Sequence, residues 1–391
     1  MCYQKKVVIA QNLIPHYRVS FFEELHTLCA QNNISLSLLF NSSAAQRATN
    51  DYRSGIIPSH DQLTWATPAP IRWILSSAWQ PAWKYTRNAD LFIFQQELKY
   101  VSHFLLLFLR KLQRKRTALW GHGRNFQSLN QPSPRTELKG WLATLPDWWF
   151  SYTNLSTSVL ASLPYPQSRI TTLNNSLDTE RLKQNRNAFT QQKADKLRRQ
   201  LNLPSHNVAV FAGGLHQFKR IPFLIESALL IKKKLPDFHL LIIGSGPESH
   251  HIPELPWIKK FGSMDDDQKV PYWMLAQVVL MPGTIGLAAV DSLCLETPII
   301  TTDYPFHSPE ICYIKHNHTC IISTPFDSPS HFAASAAALL GNPTKLAAMQ
   351  KNCRDASPLY SSQKMARNFL TGIQLALQSP PISQKNYTKS Q

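Results

Sequence analysis

Short apolar runs alternate along the chain with longer segments in which apolar residues recur every three or four positions. The short runs are typical of buried strands, and the three-to-four spacing is typical of helices that cover a sheet. In the first half we expect strands at 6–10, 35–40, 90–94, 117–120, 149–152 and 170–173, and helices at 19–31, 100–114 and 135–145. In the second half we expect strands at 208–212, 239–243, 257–261, 278–281, 298–301 and 319–322, and helices at 221–234, 270–276, 287–295, 308–314 and 330–340.

Two such series in 391 residues predict an α/β protein with two Rossmann-like domains. We place the N-terminal domain at 1–180 and the C-terminal domain at 206–360, with the polar stretch 181–205 as the linker region. A helix at 361–378 is expected to pack back on the N-terminal domain. The remaining residues, 379–391, are rich in Ser, Pro, Gln and Lys and are predicted to be disordered.

The charge balance narrows the class of partner. The chain has 41 Lys and Arg against 24 Asp and Glu, a net charge of +17 that is spread over both halves. Such an excess favours an anionic partner, which composition leaves open as nucleic acid, a phospholipid surface or a phosphorylated substrate. Six separated cysteines and the lack of a signal-type or membrane-spanning apolar run predict a cytoplasmic protein, either soluble or peripheral on the inner face of the membrane.

The segment after the predicted strand 208–212 is the first candidate site. Gly213 and Gly214 let backbone N–H groups approach a ligand closely, and Lys219 and Arg220 stand just before a predicted helix. Glycines, a cation and a helix N-terminus together suit an anionic phosphate. Taken alone, the segment also fits an ordinary strand–turn–helix connection with a solvent-facing lysine.

Three more loops follow strands of the same half. Gly244 opens a Gly-Ser-Gly-Pro-Glu turn, and a glycine-rich helix start is formed by Gly283, Thr284, Gly286 and Leu287. Asp291, about two turns beyond Gly283, is placed to reach a ribose hydroxyl. Glu310 lies in the first turn of a helix that Ser308 is expected to cap, where the helix dipole alone would favour a carboxylate. Ligands of open α/β sheets bind beyond the carboxyl ends of strands, so these loops predict one phosphate-binding edge.

In this order the loops resemble the donor-binding domain of family 4 glycosyltransferases. The matching patterns are Gly-Gly-Leu-x-x-x-Lys, Ile-Gly-x-Gly-Pro-Glu, Pro-Gly-x-x-Gly-Leu-x-x-x-Asp, Pro-Ile-Ile and Pro-Glu. In the first half, the segments 12–25, 89–94, 120–123 and 173–178 resemble the subset that acts in surface-polysaccharide assembly. The resemblance covers roughly 5–375 and implies the GT-B fold, in which two Rossmann-like domains face each other across a cleft, and retaining chemistry.

The chain departs from the family pattern at several positions. Gly214 stands where the family has an arginine in the phosphate loop, which leaves Lys219 as the cationic anchor and Arg220 as a candidate to compensate. Gly283 replaces the first glutamate of the family's helix motif, and the shorter Asp291 replaces the second. The missing glutamate normally contacts the donor sugar, so donor-sugar recognition is the property that these departures affect.

The resemblance implies transfer of a sugar from a nucleoside-diphosphate sugar to a hydroxyl of a glycan or lipid-linked acceptor, without a metal or another cofactor. Lys219 and the N–H groups near Gly213 and Gly214 would stabilise the departing diphosphate. Asp291 would bind the ribose. Ser263 and Met264 would contact the base through the backbone.

Three residues of the first half are candidates for the acceptor side. His122 lies between two glycines immediately after a predicted strand, where a neutral imidazole could hydrogen-bond the donor sugar and the acceptor, or only pack locally. Arg18, with His16 close by, stands at the start of the first helix. It could contact a phosphate, or be a plain surface arginine.

The segment 100–116 has two readings. It combines a stripe of apolar residues with five basic ones, which suits an anionic membrane surface, but α/β helices also bury such stripes against the sheet.

At the level of the whole chain, two hypotheses compete with an active glycosyltransferase. The lost arginine and glutamate suit a catalytically inert binding protein of the same fold. The charge alone suits a nucleic-acid-binding protein, but no nucleic-acid module is found and we expect no such partner.

Overall fold

A computed structural model of the chain describes residues 4–41, 62–75, 77–124, 126 and 134–382. Its described residues divide into two compact units, each with its own parallel sheet. Unit 1 contains the described residues up to Asn175 together with those from Ser362 onward, and unit 2 contains 176–361. The chain therefore leaves unit 1, forms the whole of unit 2 and returns.

Unit 1 is built on a seven-stranded sheet in the order β3-β2-β1-β6-β7-β8-β9, with every pairing parallel. Its strands, with the separate antiparallel hairpin β4–β5, are β1 (Lys5–Ala10), β2 (Ile34–Phe40), β3 (Thr67–Pro68), β4 (Arg72–Ile74), β5 (Ser77–Trp79), β6 (Leu91–Gln95), β7 (Arg116–Gly121), β8 (Trp148–Ser151) and β9 (Ile170–Thr172). Its α-helices are α1 (Val19–Gln31), α2 (Trp83–Thr86), α3 (Val101–Leu112), α4 (Pro134–Ala143), α5 (Asn154–Ala161) and, from the C-terminal end, α13 (Ser362–Gln378).

Unit 2 has a six-stranded parallel sheet in the order β12-β11-β10-β13-β14-β15. Its strands are β10 (Val208–Ala212), β11 (His239–Ile243), β12 (Ile258–Phe261), β13 (Val278–Leu280), β14 (Ile299–Thr302) and β15 (Cys320–Ser323). Its α-helices are α6 (Thr179–Ala188), α7 (Gln191–Leu201), α8 (Ile221–Lys234), α9 (Asp266–Trp273), α10 (Ala288–Cys294), α11 (Pro329–Leu340) and α12 (Pro343–Ala356). The strand order reverses between β10 and β13, and doubly wound sheets bind ligands at this reversal.

The predicted fold class, two Rossmann-like α/β domains, is confirmed. The apolar runs form the strands because both faces of each sheet are covered, and parallel strands buried on both faces need continuous apolar sequence. In unit 1 one side of the sheet packs against α1 and α13, and Phe369 of α13 stacks on Phe150 of β8 with ring centroids 4.3 Å apart.

The polar segment 181–205 is helical where we expected a linker. It forms most of α6 and all of α7, both within unit 2. Asp178 and Thr190 cap the two helices by accepting from backbone N–H groups, and Arg181 forms a bidentate ion pair with Asp267 of α9. Caps and ion pairs hold these helices with little apolar surface, so an apolar period does not reveal them.

The last described residues are ordered where disorder was expected from 379 on. The Ile382 N–H donates to the Asp147 carboxylate at 2.7 Å, and the Ile382 side chain packs against the core of unit 1. Arg116 donates to the carbonyl of Ser379 at 2.9 Å. The rest of the predicted tail, 383–391, lies outside the described residues.

Candidate functional site

Lys219 lies at the end of a short 3-10 turn, Gln217–Lys219, between β10 and α8. Its side chain is buried, and the ammonium group donates to the Thr284 carbonyl oxygen at 2.6 Å and lies 3.7 Å from the Met281 sulfur. Burial lowers the pKa of Lys219 to about 8. Within the described part of the chain, no carboxylate forms an ion pair with this ammonium group, and buried cations without such a partner are rare.

The loop after β13 is locked onto the Lys219 turn through the backbone. The Thr284 N–H donates to the Phe218 carbonyl oxygen at 2.8 Å. A Cβ atom at Gly283 would collide with that oxygen and would lie 2.8 Å from the Lys219 Cα atom. Gly283 is therefore required for the close approach of two loops that flank the strand reversal.

The loop after β11 is joined to the loop after β10 in the same way. The Gly213 N–H donates to the Ile243 carbonyl oxygen at 3.0 Å, and the Leu215 N–H donates to the Ser245 carbonyl oxygen at 2.9 Å. Gly244 has a φ of +144°, and a Cβ atom there would collide with the Gly213 carbonyl oxygen. Gly244, like Gly283, is therefore needed for the close packing of one loop against another.

Gly213 and Gly214, whose N–H groups were predicted to bind a phosphate, differ in their hydrogen bonds. The Gly213 N–H is taken by β11, whereas the Gly214 N–H has no hydrogen-bond partner among the described residues. In the second loop the N–H groups of Thr284 and Ile285 are taken by Phe218 and His307, and within the described chain the Gly286 N–H is open. Gly214 and Gly286 therefore each offer a backbone N–H group that no described residue uses.

Asp291, the predicted ribose ligand, belongs to a buried group of three charges that the sequence did not reveal. Lys269 of α9 lies 2.8 Å from the Asp291 carboxylate on α10 and 2.7 Å from the Asp266 carboxylate. Burial lowers the pKa of Lys269, but the two carboxylates outweigh it and the net shift is upward. Burial raises the pKa of Asp291. The carboxylate of Asp291 is thus already bound to a cation that lies within the protein.

His307 is a second residue that sequence reasoning missed. One ring nitrogen accepts from the Ile285 N–H at 3.1 Å, and the other donates to the Thr302 carbonyl oxygen at 2.9 Å. Burial lowers the pKa of His307, and the nearby charge of Lys219 lowers it further. A neutral ring therefore fixes the loop that carries Gly286.

Glu310 and Ser308 lie next to this loop. Glu310 is buried in a 3-10 turn, Pro309–Tyr313, where an α-helix over 308–314 was expected. Ser308 precedes the turn without a side-chain capping bond, so the predicted cap is wrong. The Ser308 hydroxyl instead points toward Gly286, where an added Cβ atom would lie 3.7 Å from it.

The remaining predicted donor residues have other neighbours. Arg220 adopts a left-handed conformation and donates to the Phe326 carbonyl oxygen at 2.6 Å, with its guanidinium 4.1 Å from the Phe223 ring centroid. Its charge is thus held against aromatic rings. The Ser263 N–H donates to the Ser245 hydroxyl at 3.2 Å, and Met264 follows it before α9. Leu287 precedes the first residue of α10.

In unit 1, His122 follows β7 directly, as predicted from the strand boundary. Its Nδ1 atom lies 3.4 Å from the Ser156 hydroxyl, and its ring centroid lies 4.4 Å from that of Tyr152. The next residue, Gly123, is held by Gln96, whose carboxamide both donates to and accepts from the Gly123 backbone at 3.0 and 2.9 Å.

Arg18 is a buried residue and not a surface arginine. Its guanidinium donates to the Asn175 carboxamide oxygen and to the Met365 sulfur, which ties the first helix of unit 1 to α13. Aromatic rings surround it, including those of Phe21 and Trp120. The neighbouring His16 packs edge-on against Tyr17 with ring centroids 5.4 Å apart.

The described residues contain no group of three or more His, Cys, Asp or Glu side chains arranged to hold a metal ion. None of their helices is long and apolar enough to cross a membrane. The five described cysteines are free thiols.

Residues 206–342 match the family model described as glycosyl transferases group 1. No curated protein matches the sequence. Among solved structures, HepE from Anabaena in complex with UDP is similar, with a TM-score of 0.71 and 13% identity over 95% of this chain and 99% of that chain. A glycosyltransferase from Rickettsia africae has a TM-score of 0.69 and 14% identity over 96% of this chain and 100% of that one.

Sucrose-phosphate synthase from Thermosynechococcus elongatus is similar as well, with a TM-score of 0.65 and 13% identity over 95% of this chain and 98% of that chain. At such identities the likeness establishes the fold, which is the two-domain GT-B fold. The residues that match the group 1 glycosyltransferase model lie in unit 2, the unit that contains Lys219 and the strand reversal.

Proposed function

We propose that the chain transfers a sugar from a nucleoside-diphosphate sugar to a hydroxyl acceptor, with retention at the anomeric carbon and without a metal ion. One observation carries the proposal. Lys219 is a buried cation that lacks a carboxylate partner in the described chain, and it lies at the strand reversal of a group 1 glycosyltransferase domain. A diphosphate would supply the missing negative charge there.

In the proposed step the bond between the anomeric carbon and the departing phosphate oxygen breaks, and its electron pair stays on that oxygen. The acceptor hydroxyl attacks from the same face, and its proton passes to the departing diphosphate. Lys219 and the open N–H groups of Gly214 and Gly286 would stabilise the growing charge. Donors of this kind are each worth about 100- to 1,000-fold in rate.

The other proposed contacts with the donor stay predictions, and the structure gives the present neighbours of some of these residues. Asp291 would accept from a ribose hydroxyl with its carboxylate held by Lys269, because a carboxylate can accept several hydrogen bonds. Glu310 would contact the donor, and Ser263 and Met264 would meet the base through the backbone. Arg220 donates one N–H group to the Phe326 carbonyl oxygen and would bind a phosphate through its other N–H groups.

For the acceptor side we propose His122 as the hydrogen-bonding group, with its ring supported by Ser156 and Tyr152. Arg18 and His16 would act with it, and the burial of Arg18 favours a positioning role for that residue. Solved structures of HepE contain UDP and UDP-glucose, and the pneumococcal transferase GtfA was solved with UDP and GlcNAc, which supports a sugar nucleotide as the donor.

We further propose that the acceptor is a glycan or lipid-linked intermediate in the assembly of lipopolysaccharide, capsule or exopolysaccharide. The protein would then act in the cytoplasm, peripherally on the inner face of the membrane. The net charge of +17 suits both a phosphorylated acceptor and that surface.

A second candidate function is a catalytically inert binding protein of the same fold. Gly214 and Gly283 stand in place of the family's arginine and glutamate, and the backbone at Gly283 is packed against the Lys219 turn with no room for a longer side chain. Such a protein would bind the nucleotide without turning over the donor.

A mass-spectrometric panel of sugar nucleotides separates the two candidates. We expect slow hydrolysis of at least one donor, with release of the nucleoside diphosphate, and loss of that hydrolysis in Lys219→Ala. Binding without any hydrolysis or transfer across the panel would support the inert protein. Full activity of Lys219→Ala would overturn the site assignment.

A further inference from the structure

The outer face of α3 exposes large apolar side chains. They stand one, three or four positions apart, so they lie on one side of the helix: Val101, Leu105, Phe108, Leu109 and Leu112. The opposite side of the helix, with Phe104 and Leu107, is buried against the sheet of unit 1. α3 is therefore apolar on two sides, and its core contacts explain only one of them.

Neighbouring elements extend this surface. The ring of Phe108 stacks on Trp141 of α4 at 5.9 Å, and both rings are exposed. The β4–β5 hairpin packs beside the start of α3, where the Ala78 N–H donates to the Lys99 carbonyl oxygen at 2.7 Å. At its tip Leu75 is 98% exposed and has a φ of +54°, a conformation unusual for a large aliphatic residue.

A basic groove of about 670 Å³ adjoins the C-terminal end of the same face. Phe108 and Leu112 form part of its apolar wall, and its cationic side chains are Lys111, Arg114, Lys115 and Arg116. Residues 72–116 contain nine Lys and Arg against two acidic residues. Of those two, Asp90 accepts from the Lys6 N–H and Glu97 pairs with Lys99. The other acids nearby are Asp147, buried at the groove, and Glu137 on α4.

We propose that this surface, formed by the exposed side chains of α3 with Trp141 and the basic groove, docks on an anionic lipid bilayer. Apolar side chains on one helix face enter the headgroup boundary, and cations beside them bind the lipid phosphates. A second copy of the chain fits less well, because pairing the faces would bring two basic grooves together. A nucleic acid would leave the apolar side chains without a partner.

The inference rests on the proposed function only in its purpose, which is to bring the enzyme to an acceptor carried in a membrane. Binding to lipid is measured without any sugar donor. The two proposals can therefore fail separately.

The test is flotation of the full chain with vesicles of phosphatidylcholine alone, or of phosphatidylcholine and phosphatidylglycerol in equal parts. We expect binding to the mixed vesicles that weakens with added salt, and weak binding to phosphatidylcholine alone. Leu112→Glu, at a position 83% exposed and outside the core, should lower binding about tenfold or more. Arg114→Gln should lower it about fivefold.

Matched controls lie on α8 of unit 2. Leu229→Glu and Lys233→Gln alter exposed residues of the same two types and should leave vesicle binding unchanged. Donor hydrolysis in solution by Leu112→Glu should equal that of the wild type. Wild-type protein that fails to float with mixed vesicles, or Leu112→Glu that floats as well as the wild type, would overturn the proposal. A wild-type dimer that Leu112→Glu dissociates, without lipid binding, would show instead an interface between copies.

Discussion

Lys219 is the residue on which the account of the donor site rests. Its ammonium group is buried, its contacts are a carbonyl oxygen and a sulfur, and its pKa is lowered to about 8 by burial. A neutral partner such as Thr284 O compensates only part of the cost of burying a charge. An anionic ligand at this position would both bind and stabilise the charged form.

This pKa predicts a pH dependence of donor binding. The charged fraction of Lys219 falls as the pH rises through about 8, so the affinity for UDP should be level near neutral pH and fall by about tenfold per pH unit well above it. Calorimetric titration of UDP across this range measures it. Lys219→Arg keeps its charge throughout and should show a level profile. The same decline in Lys219→Arg as in the wild type would contradict the assignment.

Lys269 should matter for stability, because its removal leaves the Asp291 and Asp266 carboxylates buried without their cation. We expect Lys269→Met to lower the free energy of unfolding by roughly 3–5 kcal/mol. Urea denaturation measures it, and the double variant with Asp291→Asn should recover part of the loss. Lys351→Met breaks an exposed ion pair with Asp355 and should change stability little. A loss no larger than that of Lys351→Met would show that the group of charges is not buried as described.

At the scale of elements, the site depends on loops that hold one another in place. Gly283→Ala would place a Cβ atom against the Phe218 carbonyl oxygen and force the β13 loop away from the Lys219 turn. We expect a loss of roughly 1–3 kcal/mol in stability and a clear loss of UDP affinity. Gly262→Ala has no atom within 4 Å of the added Cβ and serves as the control. Wild-type UDP affinity in Gly283→Ala would show that this contact does not shape the site.

At the scale of the whole molecule, the C-terminal helix α13 completes unit 1 after the chain has formed unit 2. Phe369→Ala removes a fully buried ring that stacks on Phe150 and contacts Trp120. We expect it to lower the free energy of unfolding by about 3–5 kcal/mol. Eight of the ten tryptophans lie in unit 1, so tryptophan fluorescence during denaturation reports mainly on that unit. Leu375→Ala, at an exposed position of α13, should have little effect. Equal losses of stability in Phe369→Ala and Leu375→Ala would contradict the packing of α13 into unit 1.

The sequence predicted the parts of the fold that depend on apolar pattern. The main strands of both sheets were found to within one or two residues, because buried parallel strands need continuous apolar runs. Helices α6 and α7 were missed because capping and ion pairs hold them. The β4–β5 hairpin was also missed, since strands of three residues carry almost no pattern.

The candidate site was predictable as a set of loops but not as a set of contacts. The strand ends placed Lys219 and Gly283 on adjacent loops, yet the pairing of Asp291 with Lys269 joins two helices and has no sequence signal. Glu296 adopts a left-handed φ of +56°. Its carboxylate binds Arg186 at 2.5 Å and also Arg354, two long-range ion pairs that have no sequence signal either.

The most direct test of the central claim is the affinity of UDP for the wild type, Lys219→Met and Lys233→Met at neutral pH by calorimetry. Lys219 is the buried cation beside the strand reversal, and Lys233 is an exposed lysine on α8. We predict measurable binding to the wild type and to Lys233→Met, and a loss of about tenfold or more in Lys219→Met. Equal affinities of all three proteins for UDP would contradict the account.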